Sequence, residues 1–193
     1  MIHEFIYHIR LSLVRVFSET NTWFQESETI RSFKERDDQW SVNQVLEHIV
    51  LTNHYLLMII DKGRSKALQR DDEEVVLPED MGAHLEKLDL VGIHKSFDWH
   101  RPEHMEPRGT FSEDEIRYLL RYQLQRCIYN LEQMKSGEGF KIRTTMTVNN
   151  LGKIDVYQYL YFLVKHIERH LSQMQELKVK ALTALEEDKA VIA

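Results

Sequence analysis

Apolar residues recur along the chain at the i, i+3, i+4 spacing of amphipathic helices, in four long segments. The first segment begins at Ile2 and continues at least to Phe17. The Ser/Thr/Asn-containing run that follows either ends this helix or lies inside a longer one that reaches Phe33. The second segment follows Ser41, a plausible N-cap, and is expected to end at Gly63.

Two further helices are predicted in the second half of the chain. Ser112 and Glu115 have the spacing of a capping box at the start of the third helix, which is expected to end at Gly137. Asp155 caps the last helix, whose apolar pattern runs to about Glu187. Four long helices separated by polar connections predict an all-α fold, and a four-helix bundle is its simplest form.

The connection between the second and third helices is the longest in the chain. Residues 63–110 form a highly charged crossover with three prolines, too long for a simple bundle turn, so we expect short helical pieces and a surface that faces a substrate or partner. The segment "FKIRTTMTVNNLGK" is irregular or briefly extended, and residues 181–193 form a frayed tail. Residues 1–193 are therefore expected to form a single domain.

Composition narrows the class of protein. With 193 residues, 42% apolar and 29% charged, the chain fits one soluble domain. The net charge of −6 provides no basic surface, so nucleic acid is not an expected partner. Histidines and charged residues interrupt the N-terminal helix, so we expect neither a signal peptide nor a membrane span. A single cysteine excludes a disulfide within the chain and indicates a cytoplasmic protein.

Three histidines occupy matching positions on two of the predicted helices. In "HIERH", His166 and His170 are four residues apart and lie on one face of the last helix, beside its apolar stripe. His48 lies beside the apolar stripe of the second helix. If these two helix margins face each other, the three imidazoles converge.

Converging imidazoles would suit a divalent ion such as Zn²⁺, Ni²⁺, Fe²⁺ or Cu²⁺. Three protein ligands leave a position for water or substrate, as in catalytic sites. Because imidazole is neutral, the ion would keep its full charge and favour a bound thiolate or an acidic water. Histidines at helix margins are also common as solvated or hydrogen-bonded side chains, and the spacing alone does not decide between the two interpretations.

Other histidine-containing patterns fit less well. A zinc protease of the H-E-x-x-H type needs its glutamate next to the first histidine, whereas Glu168 is two residues on and points roughly 200° away. Ferritin-like bundles use carboxylate ligands, which the inward margins of these helices lack. In "HRPEH", residues 100–104, Pro102 argues against a shared helical face, so this segment is interpreted as surface or cleft lid. No general base is recognisable, so the catalytic residues are unknown.

Two longer motifs resemble a known family. "WSVNQVLEHIVLTNHYL" resembles the W-S-x-x-x-[VL]-x-H-[IL] segment of DinB/YfiT-like proteins, and "LGKIDVYQYLYFLVKHIERHLSQMQEL" resembles their final helix with its H-x-x-R-H-x-x-Q core. The resemblance covers nearly the whole chain. It implies an up-down-down-up four-helix bundle that binds one divalent metal ion, zinc or nickel, through His48, His166 and His170.

The resemblance also implies candidate functions. The family includes S-transferases and isomerases that use low-molecular-weight thiols, and its members are often dimeric. We therefore expect a homodimeric, metal-dependent enzyme that activates a small thiol, or water in a hydrolase. A non-catalytic metal-binding module for stress or protein interaction is the alternative from a different class. The long, histidine-rich crossover departs from the family's pattern.

Overall fold

The computed structural model describes residues 1–70, 72–97 and 102–192, the last five by backbone alone. It is mostly helical, which confirms the predicted class, and its elements are α1 (Ile2–Thr22), α2 (Glu28–Ser32), α3 (Val42–Leu68), α4 (Met81–Glu86), α5 (Asp89–Gly92), α6 (Glu113–Gln133), β1 (Arg143–Met146), β2 (Gly152–Asp155) and α7 (Val156–Ile192). Short 3₁₀ turns lie at Trp23–Gln25, Glu103–Met105, Glu138–Lys141 and Val148–Asn150.

The four long helices α1, α3, α6 and α7 share one apolar core. Helix α1 packs against α6 and α7, and so does α3. Large, fully buried side chains such as Leu46, Tyr157 and Phe162 fill the space between them. Cys127 on α6 belongs to this core, and burial raises the pKa of its thiol to about 12. The predicted apolar stripes are thus the faces that the helices bury.

The predicted helix starts are confirmed by their hydrogen bonds. Capping boxes at Ser41 and Ser112 open α3 and α6. Asp155 accepts a hydrogen bond from the backbone N–H of Gln158 at 3.0 Å, and the Gln158 side chain accepts one from the backbone N–H of Asp155 at 3.1 Å. These bonds satisfy donors that a helix start leaves without partners inside the helix.

The N-terminal helix is the shorter of the two alternatives that the sequence allowed. Helix α1 ends at Thr22 and a 3₁₀ turn follows. Ser27 then caps the short helix α2 by accepting a hydrogen bond from the backbone N–H of Ile30. The Ser/Thr/Asn-containing run therefore breaks the helix before Phe33.

The prediction that Gly63 ends the second helix is wrong, because α3 continues to Leu68. Gly63 is buried, and a Cβ at this position would lie 2.8 Å from Cγ2 of Val156, at the start of α7. The missing side chain thus permits a close contact between α3 and α7. The crossover accordingly begins after Leu68, later than the predicted residue 63.

The crossover contains the expected short helical pieces, α4, α5 and a 3₁₀ turn. Helix α5 packs against α7. Of the two histidines in the 100–104 motif, His100 lies outside the described residues. His104 lies in the 3₁₀ turn, with its ring centroid 4.1 Å from that of Tyr55.

The extended segment before the last helix forms a β-hairpin. Strands β1 and β2 pair antiparallel, from Arg143 opposite Asp155 to Met146 opposite Gly152. The Tyr159 hydroxyl on α7 donates a 3.0 Å hydrogen bond to the carbonyl of Thr145, which attaches the hairpin to the helix. This arrangement confirms the prediction of a brief extended segment.

The backbone of α7 is helical to Ile192, five residues beyond the predicted end near Glu187. The fraying of residues 181–193 and the single-domain organisation stay predictions. Within the described ranges, none of the helices has an apolar stretch long enough to cross a membrane.

Candidate metal centre

Helices α3 and α7 bring the three predicted histidines together. His48, His166 and His170 are buried, with 4%, 2% and 7% of their surface exposed. Nε2 of His166 lies 3.3 Å from Nε2 of His48 and 3.1 Å from Nε2 of His170. The sequence therefore predicted the convergence of the three imidazoles correctly. Their role as metal ligands stays a prediction.

Hydrogen bonds on the far side of two rings orient their lone pairs. Nδ1 of His48 donates to the backbone carbonyl of Met105 at 2.7 Å, and Nδ1 of His170 donates to Oε1 of Gln173 at 2.8 Å. A neutral imidazole with its proton on Nδ1 has its lone pair on Nε2. Both Nε2 atoms therefore present lone pairs toward the point where the rings meet. Such bonds also fix the rings of metal-binding histidines.

Burial keeps His166 and His170 neutral. It holds the pKa of His166 and His170 well below the usual value of about 6.5, and a charge on a neighbouring imidazole would lower these pKa values further. One proton on His166 Nε2 can serve only one of the two adjacent lone pairs at a time. A divalent ion accepts a lone pair from each ring, and late first-row ions favour neutral nitrogen ligands. The three residues thus fit such an ion.

The cluster borders a cavity of about 690 Å³, a volume suited to a small molecule. Three groups of residues line it. They are the aromatic side chains Trp40, Tyr159 and Phe162, the crossover residues His94, Lys95, Phe97, Pro102 and Met105, and the hairpin residues Thr145 and Met146. Trp40 packs against the core and also lies in the cavity wall, with its ring centroid 4.8 Å from that of His48.

Arg169, between the two histidines of α7, holds the crossover next to the centre. Its guanidinium donates hydrogen bonds to the backbone carbonyls of Ile93 and Phe97 and lies 5.1 Å from the centroid of the Phe97 ring. The crossover is thereby attached to the same turn of α7 that carries the cluster.

Glu47, next to His48, anchors the end of the crossover. Its carboxylate is 2% exposed and accepts hydrogen bonds from the backbone N–H groups of Arg108, Gly109 and Thr110, at 3.3, 2.6 and 3.1 Å. The Thr110 hydroxyl donates a further bond at 3.1 Å. The carboxylate is thus engaged in holding the crossover in place.

Two residues near the centre, His94 and Glu47, were not predicted from the sequence. His94 has no helical spacing relation to the other histidines, and the only signal was the abundance of histidine in the crossover. Glu47 could have been noticed as an acidic residue on the buried side of an amphipathic helix.

Comparison with known proteins agrees with this site and fold. The model of the DinB superfamily matches residues 13–174, a range that includes all three histidines, the whole of α3 and α6, and about half of α1 and of α7. No curated protein and no solved structure gives a significant match. The family match confirms the resemblance that the two sequence motifs indicated. The chain therefore belongs to the DinB superfamily.

Proposed function

We propose that the protein is a metal-dependent enzyme in which His48, His166 and His170 hold one divalent ion, zinc or nickel, beside a bound small molecule. The observation that carries the proposal is the convergence of three buried imidazoles at the edge of a cavity of about 690 Å³. Three protein ligands rather than four are typical of catalytic metal sites, because a position remains for a reactant.

Charge at this centre would supply the chemistry: a divalent ion with only neutral ligands lowers the pKa of a thiol or water that reaches it. The protein supplies the orientation. Met105 and Gln173 fix the rings of His48 and His170, and the aromatic side chains Trp40, Tyr159 and Phe162 form an apolar part of the cavity wall. The preferred reaction is transfer of a low-molecular-weight thiol to an electrophile, and hydrolysis is the variant with water as the nucleophile.

The finer architecture belongs to the same proposal. The four long helices form an up-down-down-up four-helix bundle, which is supported by the packing of α1 and α3 against both α6 and α7. A homodimer is supported by the family resemblance. A cytoplasmic location is supported by the single, buried cysteine. The partner is a small molecule, not nucleic acid and not a membrane. The net charge of −6 supports the exclusion of nucleic acid.

A non-catalytic metal-binding module remains the alternative, and the acidic residues of the cavity favour it. Glu35, Asp38 and Glu176 line the cavity, but each is engaged in an ion pair. The pairs are Glu35 with Lys180, Asp38 with Arg36, and Glu176 with Lys95. A carboxylate engaged in an ion pair is a weaker general base than one without a cation nearby. This arrangement would suit a protein that binds a metal without catalysing a reaction.

Cobalt substitution distinguishes these functions. Protein purified without a nickel column is loaded with Co²⁺ and titrated with glutathione, cysteine and other cellular thiols. We expect an intense near-ultraviolet charge-transfer band, since a thiol that reaches the ion should lose its proton at neutral pH. Transfer of the thiol to an electrophile is then screened on the same sample.

The control is His166→Ala with the same amount of Co²⁺, which should give no band. If azide changes the visible spectrum of the wild-type protein but none of the thiols produces the band, thiol activation is wrong and hydrolysis becomes the preferred reaction. If neither azide nor a thiol changes the spectrum, the non-catalytic module is the better account.

A further inference from the structure

His94 on the crossover borders the same cavity as the three clustered histidines, yet it has unsatisfied hydrogen-bonding capacity. Its side chain is only 17% exposed. Nδ1 is shielded from solvent and has no hydrogen-bond partner in the described part of the chain. Nε2 lies 3.9 Å from Oε2 of Glu176, which is beyond hydrogen-bond distance. Neither ring nitrogen therefore has a hydrogen-bond partner in the described part of the chain, so the ring can still bind a ligand that enters the cavity.

The backbone on both sides of His94 is held in place. Arg169 donates hydrogen bonds to the carbonyls of Ile93 and Phe97, which flank the histidine. The Ser96 hydroxyl lies 2.7 Å from the carbonyl of Leu90 and 2.9 Å from that of Ile93. A side chain on such a segment is positioned before a ligand arrives, which lowers the entropy cost of binding.

The surroundings of the ring indicate what it can bind. A buried N–H without an acceptor is rarer than a buried acceptor without a donor, so the proton is assigned to Nε2. Burial also lowers the pKa of His94, which keeps it neutral. Glu176 pairs with Lys95 at 2.7 Å, so these two charges beside the ring largely offset each other. A neutral ring N–H in such surroundings suits a neutral acceptor such as a carbonyl oxygen.

We infer that His94 contacts the substrate: its Nε2–H donates a hydrogen bond to a neutral carbonyl oxygen of the small molecule that occupies the cavity. The inference rests on the proposed function and adds to it a specificity-determining residue and the group it recognises. Molecules with an amide or ketone carbonyl beyond the group that reaches the three histidines are the preferred class.

Two thiols that differ by one amide test this inference. Ethanethiol and N-acetylcysteamine are titrated into the Co²⁺ forms of the wild type, His94→Leu and His94→Gln. A neutral hydrogen bond contributes about 0.5–1.5 kcal/mol, so the wild type should bind N-acetylcysteamine about 2- to 12-fold more tightly than ethanethiol. His94→Leu should lose this preference with unchanged affinity for ethanethiol, and His94→Gln, which keeps an N–H donor, should retain part of it.

His54→Leu is the matched control, because His54 is exposed on α3 and does not line the cavity. All variants should bind one equivalent of Co²⁺, and loss of the metal in both His94 variants would overturn the inference by indicating a role in metal binding. If neither thiol binds the wild type, the proposed thiol chemistry fails. 4-Ethylimidazole and N-acetylhistamine, which reach the ion through nitrogen and differ by the same acetamido group, then provide the same comparison. No preference in either pair, or a preference that survives in His94→Leu, contradicts the inference.

Discussion

Replacing His166 by alanine is expected to reduce the bound divalent metal from one equivalent to none after dialysis. Nε2 of His166 lies between those of His48 and His170, so its loss leaves two imidazoles without the central ligand. Removing a hydrogen bond behind a ligand already costs about 10- to 100-fold in metal affinity, and removing a ligand should cost more. His48→Ala and His170→Ala should have the same effect, measured by elemental analysis.

The circular dichroism of these variants should remain helical, because apolar packing rather than the metal holds the four long helices together. Gln173→Leu provides a graded comparison. It removes the partner of His170 Nδ1 and should weaken metal binding by about 10- to 100-fold while keeping the stoichiometry at saturation. His54→Ala is the surface control. One equivalent of metal retained by His166→Ala would mean that the site is misassigned.

Replacing Glu47 by alanine is expected to lower the free energy of unfolding by about 2–4 kcal/mol. The substitution removes a buried carboxylate that accepts hydrogen bonds from three consecutive backbone N–H groups, at residues 108–110. Donors left without a partner at this partly buried site cost about 1–3 kcal/mol each, and water can replace only some of the lost bonds. Urea denaturation of the metal-free protein measures the effect without a contribution from metal binding.

Glu74→Ala is the matched control, because Glu74 is an exposed acidic residue of the crossover. Its effect should stay within about 0.5 kcal/mol, as for most surface substitutions. An equally small effect for Glu47→Ala would show that the end of the crossover is held by other contacts.

The helices could be predicted because their signals are local. Apolar periodicity marks the buried face of each helix. Ser41, Ser112 and Asp155 each cap a helix by accepting a hydrogen bond from the backbone N–H three residues later, so the signal is local in sequence. Gly63 shows where local signals fail. A glycine looks the same in sequence whether it ends a helix or permits a close helix contact, and only the position of Val156 decides between the two.

The candidate site divides in the same way. His48, His166 and His170 could be proposed from sequence, because helical periodicity places each of them beside the apolar stripe of its helix. The positions of His94 and Glu47 in the site depend on the path of the crossover. That path is set by hydrogen bonds from Arg169 to the crossover backbone and from the backbone of residues 108–110 to Glu47. Hydrogen bonds between residues this far apart in the chain leave no periodic pattern in the sequence.

X-ray absorption at the edge of the bound metal identifies the ligands of the ion, in wild-type protein purified without a nickel column and saturated with Zn²⁺. We expect one ion with three imidazole nitrogens at about 2.0–2.1 Å, including the outer-shell scattering of the rings, and a light atom at the remaining position. Loss of the ring scattering in His166→Ala should accompany loss of the metal. A sulfur ligand from Cys127, a ligand set made mainly of carboxylates, or no ion retained at saturating Zn²⁺ would contradict this expectation.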